Sequence, residues 1–146
     1  MKNLFEKIIS KINLLTSWEE FKIDKSKKVD VILFEQDLVK NLLDLHYDLK
    51  YKLYHHGYYT SFYIHDPKLR HIHKPTVRDR ILHHAIVRLI EPIFENFFIF
   101  DSYSSRKNKG THKAVLRLKQ MSWQLSKNNT KTVWALKCDI KKFFDT

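Results

Sequence analysis

Residues 58–86, YYTSFYIHDPKLRHIHKPTVRDRILHHAI, change their period partway along, and that change decides the fold class. The first half is aromatic and β-branched, and Asp66-Pro67-Lys68 is a turn signal between two extended runs. A β-hairpin is predicted. Alternation in its second run sets Arg70, Ile72 and Lys74 on one face and Leu69, His71 and His73 on the other. From Thr76 the spacing becomes helical: Val77, Ile81, Ala85, Leu89 and Ile93 form an apolar row beside Leu82, Ile86 and Ile90. Pro92 should kink or end that helix.

Upstream, Leu4, Ile8, Ile12 and Leu15 predict a first helix, closed by the polar break Asp24 to Lys28. A second helix is expected from about Phe34 to Leu53, with Leu38, Leu42, Leu45 and Leu49 as its stripe. Downstream, Phe94, Phe97, Phe98 and Phe100 are packing for a turn. The loop DSYSSRKNKGTH follows, in which Gly110 permits an unusual backbone angle and Thr111 can cap the next helix. Ala114, Leu118, Met121 and Leu125 align on that helix. After the break SKNNTK, the run KTVWALKCDI reads as a strand buried on both faces that leads out to Asp139. The class is α/β: mostly helices, packed on a small hairpin and one core strand.

Composition narrows the partners. In 146 residues, 27 Lys and Arg face 16 Asp and Glu, a formal charge of +11, which is more than solubility needs and of the sign that attracts phosphate. The charge is spread over helices, loops and strands, unlike the single basic amphipathic helix of a membrane-surface protein, so no membrane partner is expected. Cys138 is the single cysteine; it excludes an intramolecular disulfide and a CxxC zinc knuckle, and a reducing cytoplasm is the natural compartment. The N-terminal MKNLFEKIISKINLL is interrupted by Glu6, Lys7 and Lys11, so it lacks the continuous apolar core of a signal peptide.

Three constellations carry chemistry, each beside an ordinary reading. Asp139 at a strand end is commonly just the start of an acidic turn. In two-metal phosphoryl transfer, however, a rigid carboxylate at such a point binds divalent ions, and the main-chain carbonyl of Ile140 is a natural second ligand. Phe144, five residues past that acid, places a ring beneath a nucleotide sugar and excludes a 2′-hydroxyl; Asp145 more naturally caps or faces solvent. Lys74 and Arg80, with Arg70 on the same strand face as Lys74, are spaced to converge on one triphosphate; alternatively, Arg78, Asp79 and Arg80 are a solvated helix start with a local ion pair. Arg106, Lys107, Lys109 and Lys113, beside Tyr103 and His112, are able to track a phosphate backbone, or are simply solvated. The histidines lack the spacing of known zinc sites.

Taken in order, FYIHDPKLRHIHKPTVRDRILHHAI, IEPIFENFFIFDSYSSRKNKGTHKAV and LKCDIKKFFD resemble the N-terminal part of a bacterial reverse transcriptase, of the kind found in group II introns, retrons and diversity-generating retroelements. The wording RDRILHHA and DSYSSRKNKGTH leans toward the diversity-generating or a related group. The resemblance runs from about Leu33 to Thr146 and implies three parts: an N-terminal helical extension over 1–32, a fingers region over 33–130, and the first palm strand of a right-hand polymerase over 131–146. It implies Asp139 as the first catalytic metal ligand for Mg2+, with Ile140 beside it, Phe144 as the sugar gate, and Lys74, Arg80 and Arg70 as triphosphate contacts. Arg106, Lys107, Lys109, Gly110 and His112 would lie along the template, and the implied partners are an RNA template, a DNA primer and dNTP.

The tyrosine-led pair of aspartates, the primer grip and the thumb of that family are absent from these residues. Two divalent ions bring about +4 of charge into one site, beyond what a single carboxylate neutralises. The expectation is therefore a truncated frame, or one piece of a longer or split enzyme completed by a continuation or second chain, and inactive by itself. The alternatives are a basic RNA-binding module derived from the fingers without the chemistry, and a small structural protein whose charge only solvates it.

Overall fold

The computed structural model describes residues 3–140. In chain order its elements are α1 (Leu4–Ile9), α2 (Lys11–Lys22), α3 (Val29–Gln36), α4 (Leu38–Lys50), β1 (Thr60–His65), β2 (Leu69–Lys74), α5 (Val77–Glu95) and α6 (Thr111–Leu125). The fold is α/β, and the sheet among the described residues is a two-stranded antiparallel hairpin. Two compact units divide between Phe97 and Phe98.

In the first unit α5 is the central element, with α1, α2, α3 and α4 packed on it. Its apolar row is buried over the first half of the helix, at Val77, Ile81, Leu82 and Ala85, whereas Ile86, Leu89 and Ile90 are half-buried and Ile93 is exposed. The buried residues meet Leu14, Trp18 and Phe21 of α2, Val31 of α3, and Leu42 and Leu45 of α4, with Leu38 and Leu49 packed at the margin. Each large side chain enclosed this way contributes about 1.5–3 kcal/mol. Pro92 lies inside α5, which runs only to Glu95, so the helix stops within one turn of it. Six of these ten core residues come from α2, α3 and α4 and four from α5.

The first predicted helix is two. Ser10 breaks it: its backbone leaves the helical region, its hydroxyl accepts from the Asn13 N–H at 3.2 Å as the cap of α2, and it donates to the Lys7 carbonyl at 2.9 Å. Asn13 is buried and satisfied. Its amide donates to the carbonyls of Ile8 (2.9 Å) and Ala85 (3.1 Å), and its oxygen accepts from Arg88 at 3.1 Å, which ties the break to α5. The second predicted helix, from about Phe34 to Leu53, is interrupted at Asp37: α4 carries its leucine stripe, while its first residues are the end of α3, a helix that begins ahead of the predicted start, at Val29.

The hairpin has the expected turn, and its register pairs Thr60 with Lys74 and His65 with Leu69. One face therefore carries Tyr63, His71 and His73, with Tyr63 stacked on His71 at 4.5 Å and His71 edge-on to His73 at 4.3 Å. Every residue of β1 is exposed.

In the second unit, α6 starts at Thr111 and its cap position is Gly110, with φ of 100°, so Thr111 is the first helical residue and not the cap. No α6 residue is buried; Leu118 and Leu125 are exposed. The segment 132–140, expected as a doubly buried strand, carries no strand, and Trp134 and Leu136 are 93% and 90% exposed. A strand needs a neighbouring strand to take its N–H and C=O groups, and none of the described residues supplies one. No described helix is long and apolar enough to cross a membrane.

Candidate functional site

The turn from β2 into α5 holds the most enclosed charged group among the described residues. Thr76 caps α5, its hydroxyl accepting from the Asp79 N–H at 3.3 Å while donating to the Asp79 carboxylate. Asp79 is fully buried. Its carboxylate also accepts from the Tyr54 hydroxyl at 2.7 Å and from the Gly57 N–H at 3.2 Å, with His56 Nδ1 at 3.9 Å. Burial alone would raise its pKa; the hydrogen bonds from Thr76, Tyr54 and Gly57, with His56 nearby, outweigh that and hold it below the ordinary 3.8. Burial, followed by the bond to Asp79, pushes the Tyr54 phenol up. A Cβ on Gly57 would fall 2.7 Å from Thr76 Cγ2 and 2.9 Å from Asp79 Oδ2, so a side chain at this position would collide with the carboxylate's own partners.

Arg78, Asp79 and Arg80 are thus not a local ion pair. Three consecutive residues reach three different elements: Asp79 back to the 54–57 segment, Arg78 to Asp48 of α4 with its guanidinium over the Tyr54 ring at 5.2 Å, and Arg80 to Asp30 of α3. Successive helix positions lie about 100° apart, so neighbours in sequence face different partners.

Lys74 and Arg80 do converge, on a carboxylate. Lys74 Nζ is 2.7 Å from Asp30 Oδ2, and an Arg80 Nη donates to the same oxygen. Arg80 also lies over the Phe21 ring at 4.9 Å. Burial raises the Asp30 pKa, but the bond from Lys74 and the charge of Arg80 more than offset it, so Asp30 stays below the ordinary carboxylate value. Asp30 and Lys74, but not Arg80, line a cleft of about 810 Å³ together with Val29, Leu33, Phe34, Tyr58, Pro75 and Val77. Arg70 is exposed, four residues from Lys74 on the same strand, about 13 Å along it.

In the second unit, the basic loop is fastened to its own backbone and rings. Arg106 donates to the carbonyls of Ile99 (3.0 Å) and Ser102 (3.1 Å) and lies over Phe98 at 5.2 Å. Lys109 donates to the Phe100 carbonyl at 2.6 Å and sits 4.0 Å from the Phe100 ring centre and 4.8 Å from that of Tyr103. Gly110 donates to the Tyr103 carbonyl at 3.1 Å, closing the loop, and the side chains of Lys107 and His112 are exposed. Arg117 holds Asp101 at 3.0 Å, and that bond draws the Asp101 pKa down.

Asp139 and Ile140 are exposed and lie in the segment without secondary structure; Phe144 is outside the described residues. Among the described residues there is no group of three His, Cys, Asp or Glu able to hold a metal ion.

Sequence reading missed Asp30, Tyr54 and Gly57, and the alternative it gave for Asp79, a solvated local ion pair, is not what the buried carboxylate forms. The one available signal was T-x-x-D at 76–79, an acidic variant of the capping box, which marks Thr76 and Asp79 as mutual partners.

No protein-family model matches the chain. It is 33% identical over 79 residues to a protein named YkfC from Escherichia coli (strain K12), a match covering 54% of this chain and 20% of that protein. The match thus spans about a fifth of that relative's length.

Proposed function

We propose that this chain is the part of an RNA-directed DNA polymerase that receives the incoming deoxynucleotide and guides the RNA template. The observation that carries the reading is the meeting of Lys74, at the end of β2, with Arg80, in the first turns of α5, on one oxygen beside an open cleft. A flexible ammonium and a planar guanidinium held to one point make an anion seat, and a triphosphate is the anion that the resemblance of the three segments supplies. Arg106, Lys107, Lys109, Gly110 and His112 would follow the template backbone, with Phe98, Phe100 and Tyr103 as nearby rings. Asp139 and the Ile140 carbonyl would contribute to a Mg2+ site whose other carboxylates these residues do not provide, so the 146 residues alone are proposed to be inactive in synthesis.

A second reading, an RNA-binding module without chemistry, is favoured by the loop of the second unit, in which Arg106 and Lys109 are already seated on aromatic rings. Titration of the chain with dTTP and, separately, with a labelled single-stranded RNA separates the two. The polymerase reading expects dTTP binding that Lys74→Ala and Arg80→Ala each abolish, while RNA binding persists and weakens with salt. RNA binding with no dTTP binding would leave the module; primer extension by the 146 residues, lost in Asp139→Ala, would refute the proposed inactivity.

A further inference from the structure

We infer that Asp30 is a built-in competitor for the anion seat: it occupies Lys74 and Arg80 until a sufficiently charged phosphate chain displaces it, and so sets the affinity threshold of the site. This rests on reading Lys74 and Arg80 as triphosphate ligands. Both cations spend their charge on one oxygen, Asp30 Oδ2, and the Asp30 side chain is 36% exposed, with those of Lys74 and Arg80 at 34% and 19%. The pairs are therefore wet enough to open without stranding a buried charge, in contrast to Asp79, whose carboxylate is enclosed among three donors. Asp30 is the second residue of α3, and its rotation away from the cations would leave it in water at the cleft mouth.

Displacement has a quantitative signature. A ligand that must remove an internal carboxylate binds with its intrinsic affinity divided by the fraction of molecules in which the seat is open. Two partly exposed ion pairs make that fraction roughly one in ten. The factor is the same for every displacing anion. Weak anions are thereby kept off the seat at ordinary concentrations, while a triphosphate retains useful affinity.

The test uses the 146-residue chain and its Asp30→Asn variant, with Asp30→Ser as a second replacement if the first alters the helical circular dichroism. Tripolyphosphate and pyrophosphate are titrated calorimetrically into each. The expected result is that both anions bind about tenfold more tightly once the carboxylate is neutralised, and by the same factor. Unchanged or weaker binding would overturn the inference and make Asp30 an organiser of the two cations. A gain confined to tripolyphosphate would overturn it too, because that is repulsion from a carboxylate still in place. Binding that is indifferent to Lys74→Ala and Arg80→Ala would instead remove the triphosphate reading itself. Loss of binding in those variants, with no gain from Asp30→Asn, would sink only the competitor.

Discussion

Replacing Asp79 by alanine removes the acceptor around which the 54–57 segment and the start of α5 are joined. Three donors then lose their partner: the Thr76 hydroxyl, the Tyr54 hydroxyl at 2.7 Å and the Gly57 N–H at 3.2 Å. Hydrogen bonds to an ionised acceptor contribute about 1.5–3 kcal/mol each, but truncation admits some water and relieves the cost of burying the charge. The net expectation is a loss of about 3–5 kcal/mol, a large share of the stability of a domain this size. At roughly 4 °C per kcal/mol the midpoint of thermal unfolding should fall by about 12–20 °C. Urea unfolding followed by far-ultraviolet circular dichroism measures it, and Tyr54→Phe supplies the control. With the phenol hydroxyl already gone, Asp79→Ala should cost at least about 1 kcal/mol less than it does in the native background. An Asp79→Ala variant within about 1 kcal/mol of the native chain, or strict additivity with Tyr54→Phe, would refute the view that this carboxylate is the junction.

Other expectations follow from the same geometry. Gly57→Ala forces a methyl into contacts of 2.7 and 2.9 Å and should destabilise by about 1–3 kcal/mol in the same urea assay, without disturbing the hydrogen-exchange protection of α6. Gly110→Ala places a side chain at φ of 100°, where open space offers no clash but the backbone is strained; a cost of about 1 kcal/mol should appear as faster exchange at the start of α6. Acid should act in two stages. His84 is edge-on to Phe21 at 5.6 Å, and burial followed by the Lys25 charge holds its pKa below the ordinary 6.5; its contribution is complete above that value and is lost as pH falls through the folded one. Asp79 and Asp30, both held below 3.8, contribute fully above that pH and lose their share only as it falls further, so a pH titration of the midpoint should show a His84→Phe-sensitive step before the carboxylate step.

What was legible in the sequence was local. The first half of the row on α5, the stripe on α4 and the alternation of the hairpin are periodic patterns within one element, and each buries or pairs as its period dictates. Polar residues inside those patterns were not legible, because periodicity assigns them to solvent. Asn13 is instead bound to the Ala85 carbonyl, 72 residues away, and Arg80 to Asp30, 50 residues back. Neither partner leaves a mark at sequence distances of three or four. The break at Ser10 escaped for a related reason: Ile8 and Ile12 keep helical spacing across it, while the signal, a serine able to accept from Asn13, is a single side chain. The site was half visible in the same way. That Lys74 and Arg80 converge was readable from a strand end followed by a helix start; that they converge on Asp30 depends on where α3 packs.

The segment 132–140 shows why the last element resisted. Its composition is as β-prone as that of residues 60–65, with Thr, Val, Trp and Leu where the hairpin has Thr, Phe, Tyr and Ile. One forms a strand and the other does not. The difference lies outside both: β1 has β2 three residues away across a turn whose proline and aspartate fix the register, and so every backbone group on the shared edge finds its complement. Residues 132–140 have no such neighbour among the described residues, and they follow a turn in which Lys127, Asn128 and Asn129 all have positive φ. β-Propensity measures how well a residue suits a pleated surface once one exists, and the energy of pairing belongs to two segments jointly. The apolar run 132–140 therefore does not by itself fix where the Asp139 carboxylate lies; that takes a pairing segment, which the described residues do not supply.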